Sequence, residues 1–332
     1  MAAQRVLIIG GNGIISGSVT RLLVERGASV TLLNRGTSTV RPAIDGVETV
    51  IGDADDAASI RSAVGGRDFD VVANFRAFHP QQVAADIDLF SGRTGQYVFI
   101  SSASAYQKPV AHLPIVESTP LRNPFWEYSR NKIACEDVLV AAYRERGFPM
   151  TIVRPSHTYD STLIPLDGGW TVLDRMRRGA PIVLHGDGTS LWTLTHARDF
   201  ARAFVGLLGN PHALGAPVQI TSDETLTWDA IAALFAEALG VESRIVHVAS
   251  DTLARELPYG DGLLGDKAHS VVFDNTRVKS LVPGWQATIP FAHGVREIVD
   301  WHLADPARQP IDADLDATYD RLVAAHSAVH AG

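Results

Sequence analysis

Six short apolar runs, "RVLIIG", "SVTLLN", "VETVIG", "FDVVANF", "QYVFISS" and "MTIVRP", punctuate the first 155 residues, and segments with helical spacing separate them. This alternation limits what the chain can fold into more than any other feature. A run that is apolar at successive positions must be covered on both faces, which is the situation of a strand inside a parallel sheet layered by helices. The pattern predicts an α/β fold built on a doubly wound parallel sheet. After Pro155 the alternation gives way to loops rich in Gly and Pro, "LIPLDGGW", "GDGTS" and "LPYGDGLLGD", between helices such as "TWDAIAALFAEALG". Residues 1–155 are therefore expected to form the sheet domain. Residues 156–332 are expected to form mainly a smaller, irregular region that covers a substrate, with some segments returning to the sheet. No repeat, low-complexity stretch or linker separates the two, so the second region is expected to pack onto the first.

Composition narrows the partners. The hydrophobic content of 46% supports a sizeable core in 332 residues. A formal net charge of −8 opposes general binding to nucleic acid or to an anionic membrane, and leaves a small molecule as the expected partner. The single cysteine, Cys135, excludes an intramolecular disulfide and reads as a buried thiol on the face of a helix shared with Tyr128. Glycines interrupt the N-terminal apolar run where a signal peptide would be continuous, and no segment approaches about 18 consecutive apolar residues. A cytoplasmic location is the expectation. No spacing of His, Cys, Asp or Glu suggests a metal.

"VLIIGGNGIISGSVTRLLVERG" reads as a strand, a glycine turn and an amphipathic helix from about Ile14 to Arg26. Small residues at Gly10, Gly11 and Gly13 let backbone approach a pyrophosphate, which the amides and dipole at the helix N-terminus stabilise. Strand before, helix after and a second strand about 20 residues on are the context that a dinucleotide-binding turn requires. The first region is thus expected to be a Rossmann-type NAD(P)-binding domain, with Asn12, Ile14 and Ile15 completing its first loop. The usual third glycine position holds Ser16, which predicts a slightly wider gap between helix and strand. At the end of the second strand, Asn34 and Arg35 stand where an acidic ribose ligand would select NAD. An arginine there can pair with a 2′-phosphate, so NADP is favoured over NAD by a small margin. Asp53 and Ala54 follow the third strand, close to the expected adenine. Asn74, Phe75 and Arg76 end the fourth strand, and Pro155 and His157 follow the sixth; all five are expected at the cofactor.

The helix "EYSRNKIACED" carries Tyr128 and Lys132 four residues apart, in a chain whose only other lysines are Lys108, Lys267 and Lys279. Residues at that spacing share a helix face, so the ammonium can stand near the phenol and lower its pKa toward working pH. Taken with "GGNGIIS", "GDADD", "ISSASAY", "RPSHTYD", "GDGTSLWTLTHARDF" and "GVREIVDWH", the chain resembles the extended short-chain dehydrogenase/reductases, which include the NAD-dependent epimerase/dehydratase group. The resemblance covers nearly the whole chain. It implies a catalytic set of Ser102, Tyr128 and Lys132: the serine holds the reacting oxygen, the tyrosine moves its proton, and the lysine serves the phenol and the nicotinamide ribose. It also implies a homodimer through helices near Gln81 to Phe90 and Phe125 to Arg146.

The chain departs from the pattern in informative places. Sugar dehydratases of this group carry an Asp-Glu pair after the serine, where Ala103 and Ser104 stand, so dehydration by that route is not expected; Glu117 and Glu127 remain as possible carboxylates. Members that grip a nucleoside diphosphate use an Asn and an Arg at the positions of His157 and Trp192. Trp192 is instead expected to lie against a sugar-like ring, with Ser104 and Tyr128 beside it. Arg122 and Arg154 are the other cations considered for a diphosphate. The leading functional expectation is an epimerase that oxidises a secondary alcohol to a transient ketone and returns hydride to the opposite face. The alternatives are a net NADPH-dependent reductase or dehydrogenase, and a non-catalytic nucleotide-sensing or RNA-binding protein.

Overall fold

A computed structural model describes residues 3–37 and 41–330, with side chains as far as residue 326. All six apolar runs form strands: β1 (Arg5–Ile9), β2 (Ser29–Asn34), β3 (Glu48–Ile51), β4 (Phe69–Asn74), β5 (Thr94–Ile100) and β6 (Met150–Pro155). A seventh, Ala216–Ile220, pairs with β6. The sheet is parallel throughout, in the order Ala216–Ile220, β6, β5, β4, β1, β2, β3. The order reverses between β1 and β4, so the loops leaving those two strands diverge and open a crevice beyond their carboxyl ends.

Alternate side chains of the inner strands enter two separate cores, which is why those runs are apolar at successive positions, whereas β3 lies at the sheet edge and is largely exposed. Val6 and Ile8 of β1 and Val71 and Ala73 of β4 pack under α1 (Ile14–Glu25) and the helix Ala197–Leu207, against Val19, Leu23, Phe200 and Phe204. Leu7 and Ile9, with Val72 of β4 and Tyr97 and Phe99 of β5, face α2 (Ala57–Val64), α3 (Pro80–Phe90) and α4 (Glu127–Arg146). Cys135 is fully buried in this second core, where burial pushes its thiol up to about 12. α1 ends at Glu25 with Arg26 as its cap, one residue short of the expected end. The C-terminal half supplies a third core around Trp170, Trp192, Trp228, Phe235 and Phe291. It also returns Ala197–Leu207 and Ala216–Ile220 to the sheet layer.

A buried charged network ties β5, α4 and β6 together. Arg154 Nη2 lies 2.5 Å from Glu136 Oε2, its Nε donates to Glu136 Oε1 at 3.0 Å, and Ser101 Oγ donates to the same oxygen at 2.5 Å. Both charged side chains are almost wholly buried. Removing one partner strands the other charge in a medium that solvates it poorly, whereas replacing both is tolerated better. Glu136→Gln is expected to cost about 3–5 kcal/mol in guanidinium unfolding. The double change Glu136→Gln/Arg154→Met should recover part of that loss; a single variant within about 1 kcal/mol of wild type would contradict the assignment.

Candidate active site

A groove of about 700 Å³ runs across the crevice at the strand reversal. Its floor is the glycine loop. Gly10 has φ +83°, and a Cβ there would meet Arg76 Cγ at 2.2 Å, so only glycine fits between the loops leaving β1 and β4. Ser16 donates to the Gly10 carbonyl at 2.8 Å and accepts the Gly13 N–H at 2.8 Å, so the residue at the third glycine position braces the turn. Asn12, Gly13, Ile14 and Ile15 line the groove at the N-terminus of α1, and the buried Oδ1 of Asn12 has no hydrogen-bond partner. This orphaned acceptor, the cradle that a Cβ would fill and the helix N-terminus all fit a dinucleotide pyrophosphate.

Asn34, Arg35, Asp53, Ala54, Phe75, Arg76 and Pro155 line the same groove. Arg35 is exposed and makes no ion pair among the described residues. Three residues expected at the cofactor stand outside the lining of this groove. Gly11 lies beneath the groove wall, because a Cβ there would stand 2.4 Å from Leu32 Cδ2; its smallness serves packing. Asn74 is also beneath it: Oδ1 accepts the N–H groups of Arg76 at 2.7 Å and Ala77 at 3.0 Å, and Nδ2 donates to Asp86 at 2.6 Å, so it shapes the loop from below. His157 faces a different cavity, described below. One groove residue has no signal in sequence: Arg41, whose Nε pairs with Asp160 Oδ2 at 3.0 Å across 119 positions of chain.

Lys132 and Tyr128 lie on the groove-facing side of α4, one turn apart. The Lys132 ammonium donates to the carbonyls of Ala77 at 2.7 Å and Ile100 at 2.8 Å, which leaves one proton for a ligand in the groove. Burial lowers its pKa to about 8. The expected fall in the phenol pKa does not occur in the protein alone: burial pushes Tyr128 up to about 12, Ser102 within hydrogen-bond reach pulls it down, and Asp266 adds to the rise. The cation is spent on the two carbonyls, and desolvation of the phenolate dominates.

Ser102 is set by a chain of hydroxyls. Ser129 Oγ, next to Tyr128 on α4, donates to Ser104 Oγ at 2.7 Å, and Ser104 Oγ lies 2.9 Å from Ser102 Oγ. Ser102 Oγ also accepts the Ser104 N–H at 3.1 Å. With Ser129 as donor, the Ser104 proton goes to Ser102, whose own proton is left for an oxygen beside Tyr128. Ser104 is largely buried, at the edge of the cavity described next, and its hydroxyl is engaged by Ser129 and Ser102.

A second cavity of about 280 Å³ meets the groove at Ser102, Tyr128, Pro155 and Ser156. Trp126, Trp192 and Phe273 give it aromatic walls, and Ser104, His157, Thr193, Asp266 and Lys267 add polar groups. Trp192 is largely buried against Trp228, with ring centroids 5.2 Å apart, and its indole N–H donates to His157 Nδ1 at 3.2 Å. Neither Glu117 nor Glu127 lines this cavity; Glu117 accepts the Gln219 N–H at 3.1 Å instead. Asp266 is the carboxylate that does, and nothing in the local sequence "LLGDKAH" marks it. Among the described residues no cluster of three metal-ligating side chains occurs, and no helix is long and apolar enough to cross a membrane.

Residues 6–220 match the model of the NAD dependent epimerase/dehydratase family. A chloroplast stem-loop binding protein of 41 kDa from Arabidopsis thaliana is 25% identical over 96% of this chain and 84% of its own length. The 2'-dehydrokanamycin reductase of Streptomyces kanamyceticus is 29% identical over 85% of this chain and 80% of its own. Among solved structures, a UDP-glucose 4-epimerase from Thermotoga maritima superposes with a TM-score of 0.74 over 90% of this chain and 98% of that one, at 19% identity, which shows a shared fold. The matched region includes the glycine loop, Ser102, Tyr128 and Lys132, and the chain belongs to the NAD-dependent epimerase/dehydratase family of extended short-chain dehydrogenase/reductases, as an NAD(P)-dependent enzyme.

Proposed function

We propose that the protein interconverts a secondary alcohol and a ketone on a sugar-like ring, and that its net reaction is reduction with exchangeable NADPH. The observation that carries this reading is the meeting of groove and cavity at Ser102 and Tyr128: a ring in the cavity would present its oxygen to both hydroxyls at the edge of the nicotinamide site. A bound nicotinamide would supply or take up the hydride. Tyr128 delivers the proton to the ketone oxygen, or removes it from the alcohol, and Ser102 holds that oxygen through the proton freed by the hydroxyl chain. Lys132, anchored on two carbonyls, offers its remaining proton to the nicotinamide ribose.

Exposed Arg35 supports NADP and exchange of the cofactor, and the reductase relative at 29% identity supports net reduction. Epimerisation is the second reading, supported by the family to which the chain belongs. The nucleotide freed on denaturing the purified protein separates them: retained NAD speaks for epimerisation, and an empty site that takes up NADPH speaks for reduction. The non-catalytic nucleotide-sensing or RNA-binding reading, raised by the family resemblance, finds an echo in the name of the stem-loop binding relative, but a net charge of −8 with a complete catalytic set weighs against it. We keep a cytoplasmic homodimer through the α3 and α4 faces as part of the proposal; light scattering tests it.

Tyr128→Phe is expected to lower kcat by about 10²–10⁴-fold while cofactor affinity stays within about twofold, because the ring packing survives and the proton donor does not. A variant retaining more than about a tenth of the wild-type rate would refute the proton-transfer role.

Ser104→Ala should reduce kcat several-fold with a smaller change in KM, since it releases the Ser102 rotor without removing it. A larger loss in Ser104→Ala than in Ser102→Ala would mean that Ser104 touches substrate itself.

Arg35→Ala should weaken NADP binding by about 1–3 kcal/mol and leave NAD nearly unaffected, as expected for a charge-assisted phosphate contact. Calorimetric titration of both nucleotides decides this, and equal losses would assign Arg35 to adenine stacking.

A further inference from the structure

The cavity beside Tyr128 contains one hydrogen-bond donor that the chain leaves unused and one carboxylate with lone pairs to spare. An indole N–H can only donate, so His157 Nδ1, which receives it from Trp192 at 3.2 Å, must be unprotonated. A neutral imidazole then carries its proton on Nε2, and that nitrogen has no partner among the described residues although the ring lines the cavity. Burial and the nearby Lys267 hold the His157 pKa down to about 3, so this tautomer is neutral across the working range.

The acceptor is Asp266. Its Oδ1 lies 3.3 Å from Lys108 Nζ, and this buried ammonium is the cation paired with it: burial raises the Asp266 pKa, Lys108 lowers it, and no other N–H of the described chain donates to the carboxylate. Lys108 is fully buried and comes from the far side of the wall, so it fixes the carboxylate without entering the cavity. The other charged group in the wall, Lys267, is already paired with Asp167. Among the described residues no unpaired lysine or arginine lines this cavity. Arg154 is committed to Glu136, and Arg122 does not line the cavity.

We propose that Asp266, as acceptor, and the Nε2–H of His157, as donor, grip hydroxyl groups of an uncharged polyhydroxylated ring, and that this pair makes the cavity select such rings over nucleoside diphosphates and acidic sugars. The aromatic walls Trp126, Trp192 and Phe273 supply the faces on which such a ring lies. A diphosphate would meet the Asp266 carboxylate with no free cation to offset its burial. The proposal deepens the redox reading above and rests on it.

The test titrates the NADP⁺-loaded protein with myo-inositol, methyl glucoside, methyl galactoside, glucuronate and UDP, followed by the fluorescence of the cavity tryptophans. At least one neutral ring is expected to saturate, with neither glucuronate nor UDP doing so. Asp266→Asn and His157→Phe should each weaken that ring by about tenfold or more, with NADP⁺ affinity unchanged. Should Asp266→Asn fail to fold because Lys108 is left unpaired, the double change Lys108→Met/Asp266→Asn removes the whole pair and should show the same loss of ring binding. Saturation by UDP or glucuronate, unaltered ring binding in the Asp266 variants, or no binding of any neutral ring while NADP⁺ saturates normally would each overturn the proposal and leave the cofactor site standing. Failure of the wild type to bind either NADP⁺ or NAD⁺ would remove the redox reading, and this proposal with it.

Discussion

The site depends on how firmly α4 is fastened to the carboxyl ends of the sheet. Lys132 does most of this: a buried ammonium must find acceptors, and it finds the carbonyl that ends β5, Ile100, and the carbonyl of Ala77 in the loop after β4. One turn further along, Glu136 binds Arg154 of β6 and Ser101. One turn before, Ser129 reaches Ser104. Three successive turns of one helix are thus tied to three different segments, and Tyr128 has little freedom in register or rotation. Precision of this kind suits the proton transfer proposed for Tyr128, in which the phenol would have to stand within hydrogen-bond reach of an oxygen that it does not itself bind tightly.

The same anchoring explains which parts of the molecule were legible in the sequence. β1, β2, β4, β5 and β6 were readable because both faces of each strand are buried over most of its length, so the apolar signal repeats at successive positions; β3, at the sheet edge and largely exposed, was read from its apolar run and the turn residues around it. Tyr128 and Lys132 were readable because their spacing is a property of one helix. The seventh strand, "APVQI", was not read: it lies at the sheet edge, opens with partly exposed residues and contains Pro217, which an edge tolerates and an interior strand does not. Gly11 was placed at the cofactor from the glycine turn and Asn74 from the end of β4, yet the space beside Gly11 is filled by Leu32 and the Asn74 side chain turns inward, and no local pattern distinguishes a loop residue above a groove from one below. Arg41 and Asp266 act only through contacts across more than 100 residues of chain, with Asp160 and Lys108. His157 was assigned by register to the nucleotide, and only the Trp192 hydrogen bond reveals that it turns the other way.

The sparing use of lysine takes on meaning in this setting. Of four lysines, Lys132 stands in the groove, Lys267 lines the cavity and Lys108 backs its wall, while Lys279 pairs with Asp223 at the surface. Lys108 and Lys267 each meet a carboxylate, so the two charges they bring to the cavity are offset within the protein. A cavity arranged in this way presents polar groups without a net charge. Its discrimination among ligands then comes from the direction of hydrogen bonds and from ring stacking more than from long-range attraction.

Burial also bears on the direction of the chemistry. Both charged forms of the Tyr128 and Lys132 pair are disfavoured by desolvation, the phenol rising to about 12 and the ammonium falling to about 8. At neutral pH the protein alone therefore holds Tyr128 protonated, which is the form that donates to a ketone oxygen. Oxidation of an alcohol needs the phenolate, so its rate should climb with pH up to the phenol pKa, while reduction should stay level and fall only above it. A positive charge brought into the groove would draw the phenol pKa down and give the phenolate at a lower pH. An oxidised nicotinamide would bring such a charge and a reduced one would not, so under the proposed function Tyr128 would stay an acid beside the hydride donor and become a more available base beside the hydride acceptor.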